Sequence, residues 1–265
     1  MSFQPILPMT GYTGWMFLKR TLDMQQASHA QSAGTPNVTE HFRNRIVSVE
    51  TVDDLVSDRR LLQVALGAFG LEADINSRAF IRRILEDGTN DPDALSNRLA
   101  DKRYRRFAAA FANPEGGLRT DRTGQFAQSI LDRFHTKSFQ SAVGAVDDSM
   151  RLALNLEGAL ADLRRDSATN DARWFGILGQ PPLRRVFETA LGLPRSFATA
   201  DIDTQHDAFK TRARAVFGTD DLELINSSDM QEKLLRLYFA RENAATNMMT
   251  SSAVALTLLQ SVPRF

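Results

Sequence analysis

Apolar side chains recur along this chain at intervals of three and four, the spacing of one face of an α-helix. Trp15, Leu18 and Leu22 open the rhythm and predict a first helix from Gly14 to about Ser32. Gly34-Thr35-Pro36-Asn37 breaks it, and a second helix is expected over Thr39 to Val49. Thr51-Val52-Asp53-Asp54 reads as a helix start, with Thr51 as cap and an acid at the third helical position. Leu55, Leu61, Leu62, Val64, Leu66 and Phe69 follow, with Gly70 as C-cap. Asn76 or Ser77 starts the next helix and Gly88 ends it. Asp91-Pro92 is expected to start another, because proline fits a first turn, and Leu95, Leu99, Tyr104, Phe107 and Phe111 carry it on.

Asn113-Pro114-Glu115-Gly116-Gly117 is the clearest interruption. The loop 113–122 is either an internal division or a long loop within a single multihelical domain spanning 1–265. After it comes a helix with Phe126, Ile130 and Phe134, and then the longest regular pattern: Phe139, Val143, Val146, Met150, Ala153, Glu157, Leu160. Steps alternating four and three are heptad spacing and predict one helix from about Lys137 to Arg164. A central helix of a bundle and an intermolecular coiled coil both fit, and Glu157 in the seam favours the first. The tail from Asp229 to Ser261 is also expected to be helical, with Leu234, Tyr238, Ala245, Met248, Ser252, Ala255 and Leu259 on one face. Its second half lacks charge and is rich in Asn, Ala, Thr, Ser and Met, so this helix is a candidate association surface.

Alternating Val, Ile and Thr runs between hairpin turns are missing. The expected fold is therefore all-α, a compact multihelical bundle. A local echo suggests a duplicated helix-turn-helix unit: Leu61-Leu62-Gln63-Val64 leads to Phe69-Gly70-Leu71 as Leu183-Arg184-Arg185-Val186 leads to Leu191-Gly192-Leu193.

Composition narrows the function. With 43% hydrophobic and 24% charged residues, the chain is ordinary for a globular protein and too apolar for disorder throughout. Lys plus Arg and Asp plus Glu both number 32, so the basic excess of a protein that wraps nucleic acid is absent. There is no cysteine, which removes disulfides, thiol nucleophiles and thiolate metal sites. The first residues show no basic leader with an apolar run, and no stretch approaches a membrane span. A cytoplasmic protein is expected, with export that needs no cleaved signal as the alternative.

The sequence carries no recognisable catalytic motif. The chain has no phosphate-binding Gly-x-x-x-x-Gly-Lys loop, no Gly-x-Gly-x-x-Gly turn and no Gly-x-Ser-x-Gly elbow. His29, His41, His135 and His206 have no metal-binding spacing, and the acidic stretch Asp201 to Asp207 lacks the glycine and closing glutamate of a calcium loop. No cofactor, metal or catalytic residue is assigned. Lys102, Arg103, Arg105 and Arg106 around Tyr104 read as a solvated helix face. The most distinctive string is Trp174-Phe175-Gly176-Ile177-Leu178-Gly179 with Pro181-Pro182. Trp174, Phe175, Pro181 and Pro182 are candidates for a groove that takes a partner or ligand. A core anchor before a helix with prolines in its first turn is the alternative.

Several strings together resemble one family: Gly11-Tyr12-Thr13-Gly14-Trp15, Asp58-Arg59-Arg60-Leu61 through Leu71, Ala79-Phe80-Ile81-Arg82, Asn97-Arg98-Leu99-Ala100-Asp101, Val146-Asp147-Asp148-Ser149, and Trp174-Phe175 through Arg184. The family is DUF1217, of unknown function and found mainly in alphaproteobacteria. The resemblance implies an all-helical protein and brings no catalytic residues. It also implies a flagellar association, because such proteins are often encoded among flagellar genes. The tail, with Asn243-Ala244-Ala245-Thr246-Asn247 and Ala253 to Gln260, is similar in composition to the terminal helices of flagellar axial proteins, which pack between subunits. The expected function is a non-enzymatic helical interaction protein with protein partners, flagellar components among them. A cytoplasmic regulatory or ligand-binding helical domain is the alternative.

Overall fold

A computed structural model describes residues 3–99, 101–119 and 123–260, without the side chains of 195 and 246–260. Every regular element among the described residues is a helix, and their one isolated β-bridge joins Ala112 to Leu118. The α-helices are α1 Gly11–Ala30, α2 Thr35–Arg45, α3 Val52–Ser57, α4 Arg59–Gly67, α5 Arg78–Asp87, α6 Leu95–Arg98, α7 Lys102–Phe111 and α8 Gly124–Gly144. There follow α9 Asp148–Asp166, α10 Asn170–Leu178, α11 Pro181–Leu191, α12 Ile202–Phe217, α13 Leu222–Ile225 and α14 Ser228–Gln260. The all-α expectation holds.

Contacts gather into two units. The first comprises Met1–Ile6 and Arg20–Val146, the second Leu7–Lys19 and Asp147–Phe265. The loop at 113–119 lies inside the first unit, and the later changeover falls at Val146–Asp147.

In the first unit, α4 carries Leu61, Leu62, Val64, Ala65 and Leu66 into a core shared with Phe42, Ile84, Phe107, Phe111 and Ile130. Local chemistry sets the helix starts. Thr51 and Asp54 form a reciprocal capping box at α3. Asp58 sits in an extended conformation, splits the expected single helix into α3 and α4, and caps α4 by accepting from Arg60 and Leu61. Pro36 fits the first turn of α2, which therefore begins four residues before the expected Thr39. Asp91-Pro92 starts no helix: Asp91 accepts from Asp93 in a turn, and α6 begins only at Leu95.

The heptad pattern also does not run as one helix. α8 ends at Gly144, Asp147 caps α9 through Met150, and Val146 of the expected seam is about half exposed. Apolar spacing passed through this break because a cap and a short turn happened to preserve the phase.

In the second unit, α11 is central and packs against α9, α10, α12 and α14. The two echoed segments end alike: Leu71 donates to the Leu66 carbonyl and Leu193 to the Glu188 carbonyl, across Gly70 and Gly192 with φ near +70°. This five-residue closure is the Schellman arrangement, which needs a left-handed residue at the turn.

Candidate functional site

Trp174 and Phe175 are successive residues on α10, about 100° apart around its axis. They therefore face different ways. Trp174 is fully buried, its ring edge-to-face against Phe187 and Phe209 at 5.7 and 6.3 Å. Its indole N–H donates to the Asp220 carbonyl at 2.9 Å. Asn170 donates to the same carbonyl at 3.0 Å and accepts from the Leu222 amide, which ties α10 to the start of α13. Pro181 and Pro182 occupy the first turn of α11, Pro181 exposed and Pro182 partly buried. Trp174 is thus an anchor of the core, and it is Phe175 and Pro181 that this string offers to solvent.

Phe175 lies flat on the His206 imidazole of α12, with centroids 4.5 Å apart and planes 9° from parallel. Carboxylates stand at both edges of that imidazole: Asp171 is 3.4 Å from Nε2 and Asp207 is 3.4 Å from Nδ1. Lys210 bonds Asp171 at 2.5 Å, and Arg214 bonds Asp220 at 2.6 Å. The hydrogen bond from Lys210 holds the Asp171 carboxyl below its ordinary range and raises Lys210 in return. Arg214 does the same to Asp220. Sequence reasoning missed this cluster. Its only signals were the i, i+4 pairs Asp171–Phe175 and His206–Lys210, which put each pair on one helix face.

The first half of α14 is built into the second unit. Leu234 and Tyr238 are fully buried, and Phe239 packs between Tyr238 and Trp15 at 5.1 and 6.1 Å. Tyr12 donates to Glu232 at 3.0 Å and accepts from Arg236 at 3.0 Å. Glu242 pairs with Arg185 at 2.7 Å, and Arg241 donates to the Ala190 carbonyl at the end of α11. Leu234 and Tyr238 are therefore core residues of this unit. The side chains of Met248 and Leu259 lie outside the described residues.

The Tyr238 hydroxyl is buried without a partner, and burial pushes its phenol pKa up. An unpaired buried hydroxyl costs about 1–3 kcal/mol. Tyr238→Phe is accordingly expected to leave stability unchanged or raise it by up to about 1 kcal/mol. Urea unfolding followed by tryptophan fluorescence checks this, and a loss beyond about 1 kcal/mol would mean that the hydroxyl has a partner.

The basic cluster on α7 is committed to local bonds. Arg103 pairs with Asp101 and donates to the Gly70 carbonyl, Lys102 caps the Asn97 and Leu99 carbonyls, and Arg105 donates to Asn97. Tyr104 donates to Asp74 at 2.7 Å, and burial together with that bond pushes its pKa up to about 12. Asp201 caps α12 through Thr204. His41 bonds Asp58 at 2.6 Å beside two open surface pockets of about 380 and 330 Å³. Among the described residues, no group of three or more His, Asp or Glu is placed to hold a metal ion, and no helix is long and apolar enough to cross a membrane.

A family model described as a protein of unknown function, DUF1217, matches residues 68–235, more than half of the chain. The chain belongs to the DUF1217 family. The DUF1217 match takes in Trp174, Phe175, His206 and Leu234 and ends before Tyr238 and the rest of α14. A solved structure supports the fold: the crystal structure of protein AGR_C_984 from Agrobacterium tumefaciens superposes with a TM-score of 0.67 at 24% identity, over 89% of this chain and 96% of that one. Identity at that level shows a shared architecture. No curated protein matches this DUF1217 chain.

Proposed function

We propose that this DUF1217 chain is a non-enzymatic helical interaction protein of flagellar assembly or motility, docking on protein partners through the second half of α14. The observation that carries this reading is the course of α14. It spans 33 residues, about 50 Å, and continues as helix to Gln260 through a segment from Asn243 with no charged side chain. An isolated helical segment of such composition is marginal in water and gains its stability from packing. The likeness of this segment to the terminal helices of flagellar axial proteins points to a helical flagellar subunit as the partner. The chain acts in the cytoplasm or passes through the flagellar export apparatus.

Ending the chain after Ala245 tests the reading. Tyr12 donates to Glu232, Arg185 donates to Glu242 and the Ala190 carbonyl accepts from Arg241, all before that point in α14. The shortened chain is expected to keep its helical circular dichroism and to lie within about 1 kcal/mol of the full chain in urea. It is also expected to lose co-sedimentation with isolated flagellar basal structures. Retained co-sedimentation would remove α14 as the docking element, and unfolding would make its second half part of the core.

A further inference from the structure

The first unit contains a pair of histidines that its core treats unusually. His29 lies on α1 and is 9% exposed. His135 lies on α8, one turn before Phe139. Both rings have a buried Nδ1 without a hydrogen-bond partner. Phe3 packs edge-on against His29 at 5.0 Å and tilts on Phe139 at 6.0 Å, and His29 meets Phe139 at 5.9 Å. The segment that carries Phe3 is held three residues further on. Gln25, almost fully buried, accepts from the Ile6 amide at 2.9 Å and donates to the Ile6 carbonyl at 3.2 Å.

A neutral imidazole leaves one nitrogen as a bare acceptor, which is inexpensive to bury. An imidazolium has two N–H donors and a charge. Protonating either ring therefore creates a buried charged donor with no acceptor, a far larger penalty. Phe3 and Phe139 supply ring atoms and no lone pair. The charged groups acting on the pair are His135 on His29, and Asp132 of α8 and Arg43 of α2 on His135. Asp132 favours protonation of His135, while Arg43 and burial oppose it.

We propose that Phe3–Ile6 form an acid-released latch, in which protonation of His29 and His135 expels the Phe3 ring and frees the segment from α1 and α8. Burial, the largest influence on both rings, lowers their pKa below the ordinary 6.5. The closed latch is favoured above pH 6.5 and weakens as pH falls below it towards the folded values.

Amide hydrogen exchange at Ile6, corrected for intrinsic pH dependence, reads the latch directly. In the full chain its protection is expected to fall by about tenfold or more between about pH 7.5 and pH 5, while amides in the middle of α11 stay protected. In His29→Gln/His135→Gln the fall is expected to vanish. Unchanged protection of the wild type, or an equal fall in the double variant, overturns the proposal. Should that variant not fold, imidazole proton resonances of the wild type decide. Both rings titrating below 6.5 supports the latch, and either ring titrating at or above 6.5 overturns it.

Discussion

Replacing Trp174 by alanine is expected to destabilise the second unit by about 3–5 kcal/mol. The ring is fully buried between Phe187 and Phe209, and the variant leaves a cavity that three helices would have to close. Loss of the indole N–H adds less, because the Asp220 carbonyl keeps its bond from Asn170. Trp174→Phe, which retains much of the volume, is expected to cost about 1–2 kcal/mol. The probe is built in: both tryptophans, Trp15 and Trp174, belong to the second unit, so Trp15 reports on it once Trp174 is gone. Urea titration of Trp15 fluorescence gives the midpoint, and a shift below about 1 kcal/mol would contradict Trp174 as the anchor.

A loop variant in the first unit is expected to be nearly as harmful. Gly116 has φ +102°, and a Cβ there would lie 2.0 Å from the Glu86 carbonyl oxygen. The close approach exists because the loop folds back on the end of α5. Gly117 donates to the Leu85 carbonyl, and Thr89 and Asn90 both donate to the Pro114 carbonyl. Gly116→Ala thus combines an unfavourable backbone region with a backbone clash, for about 2–4 kcal/mol. Gly117→Ala is the control. Its φ is +76° but nothing lies within 4 Å, so only conformational strain of about 1 kcal/mol applies. Urea unfolding by circular dichroism compares the two, and equal losses would show that the loop yields where it touches α5.

These positions also show what the sequence made legible. Helix termini with side-chain chemistry were readable: the Thr51 cap, the stop at Gly88, the prolines of α11 and the extent of α14 all stand where short-range patterns placed them. Breaks inside apolar patterns were not. Asp58 and Asp147 each start a new helix, yet the apolar phase continues across both, so periodicity alone joined α3 to α4 and α8 to α9. Site geometry was least legible. Trp174 and Phe175 are both aromatic, and only packing decides that the first is core and the second meets His206. Asp171 meets His206 and Lys210 from 35 and 39 residues away, and Lys210 in turn meets Asp220, a juxtaposition that no local spacing encodes.

The most direct test of the proposed role is the soft-agar swimming radius of a strain lacking this gene, complemented with the full chain or with the chain ending after Ala245. The account predicts a reduced halo that the full chain restores and the shortened chain does not. A normal halo in the deletion strain, or full rescue by the shortened chain, would contradict it.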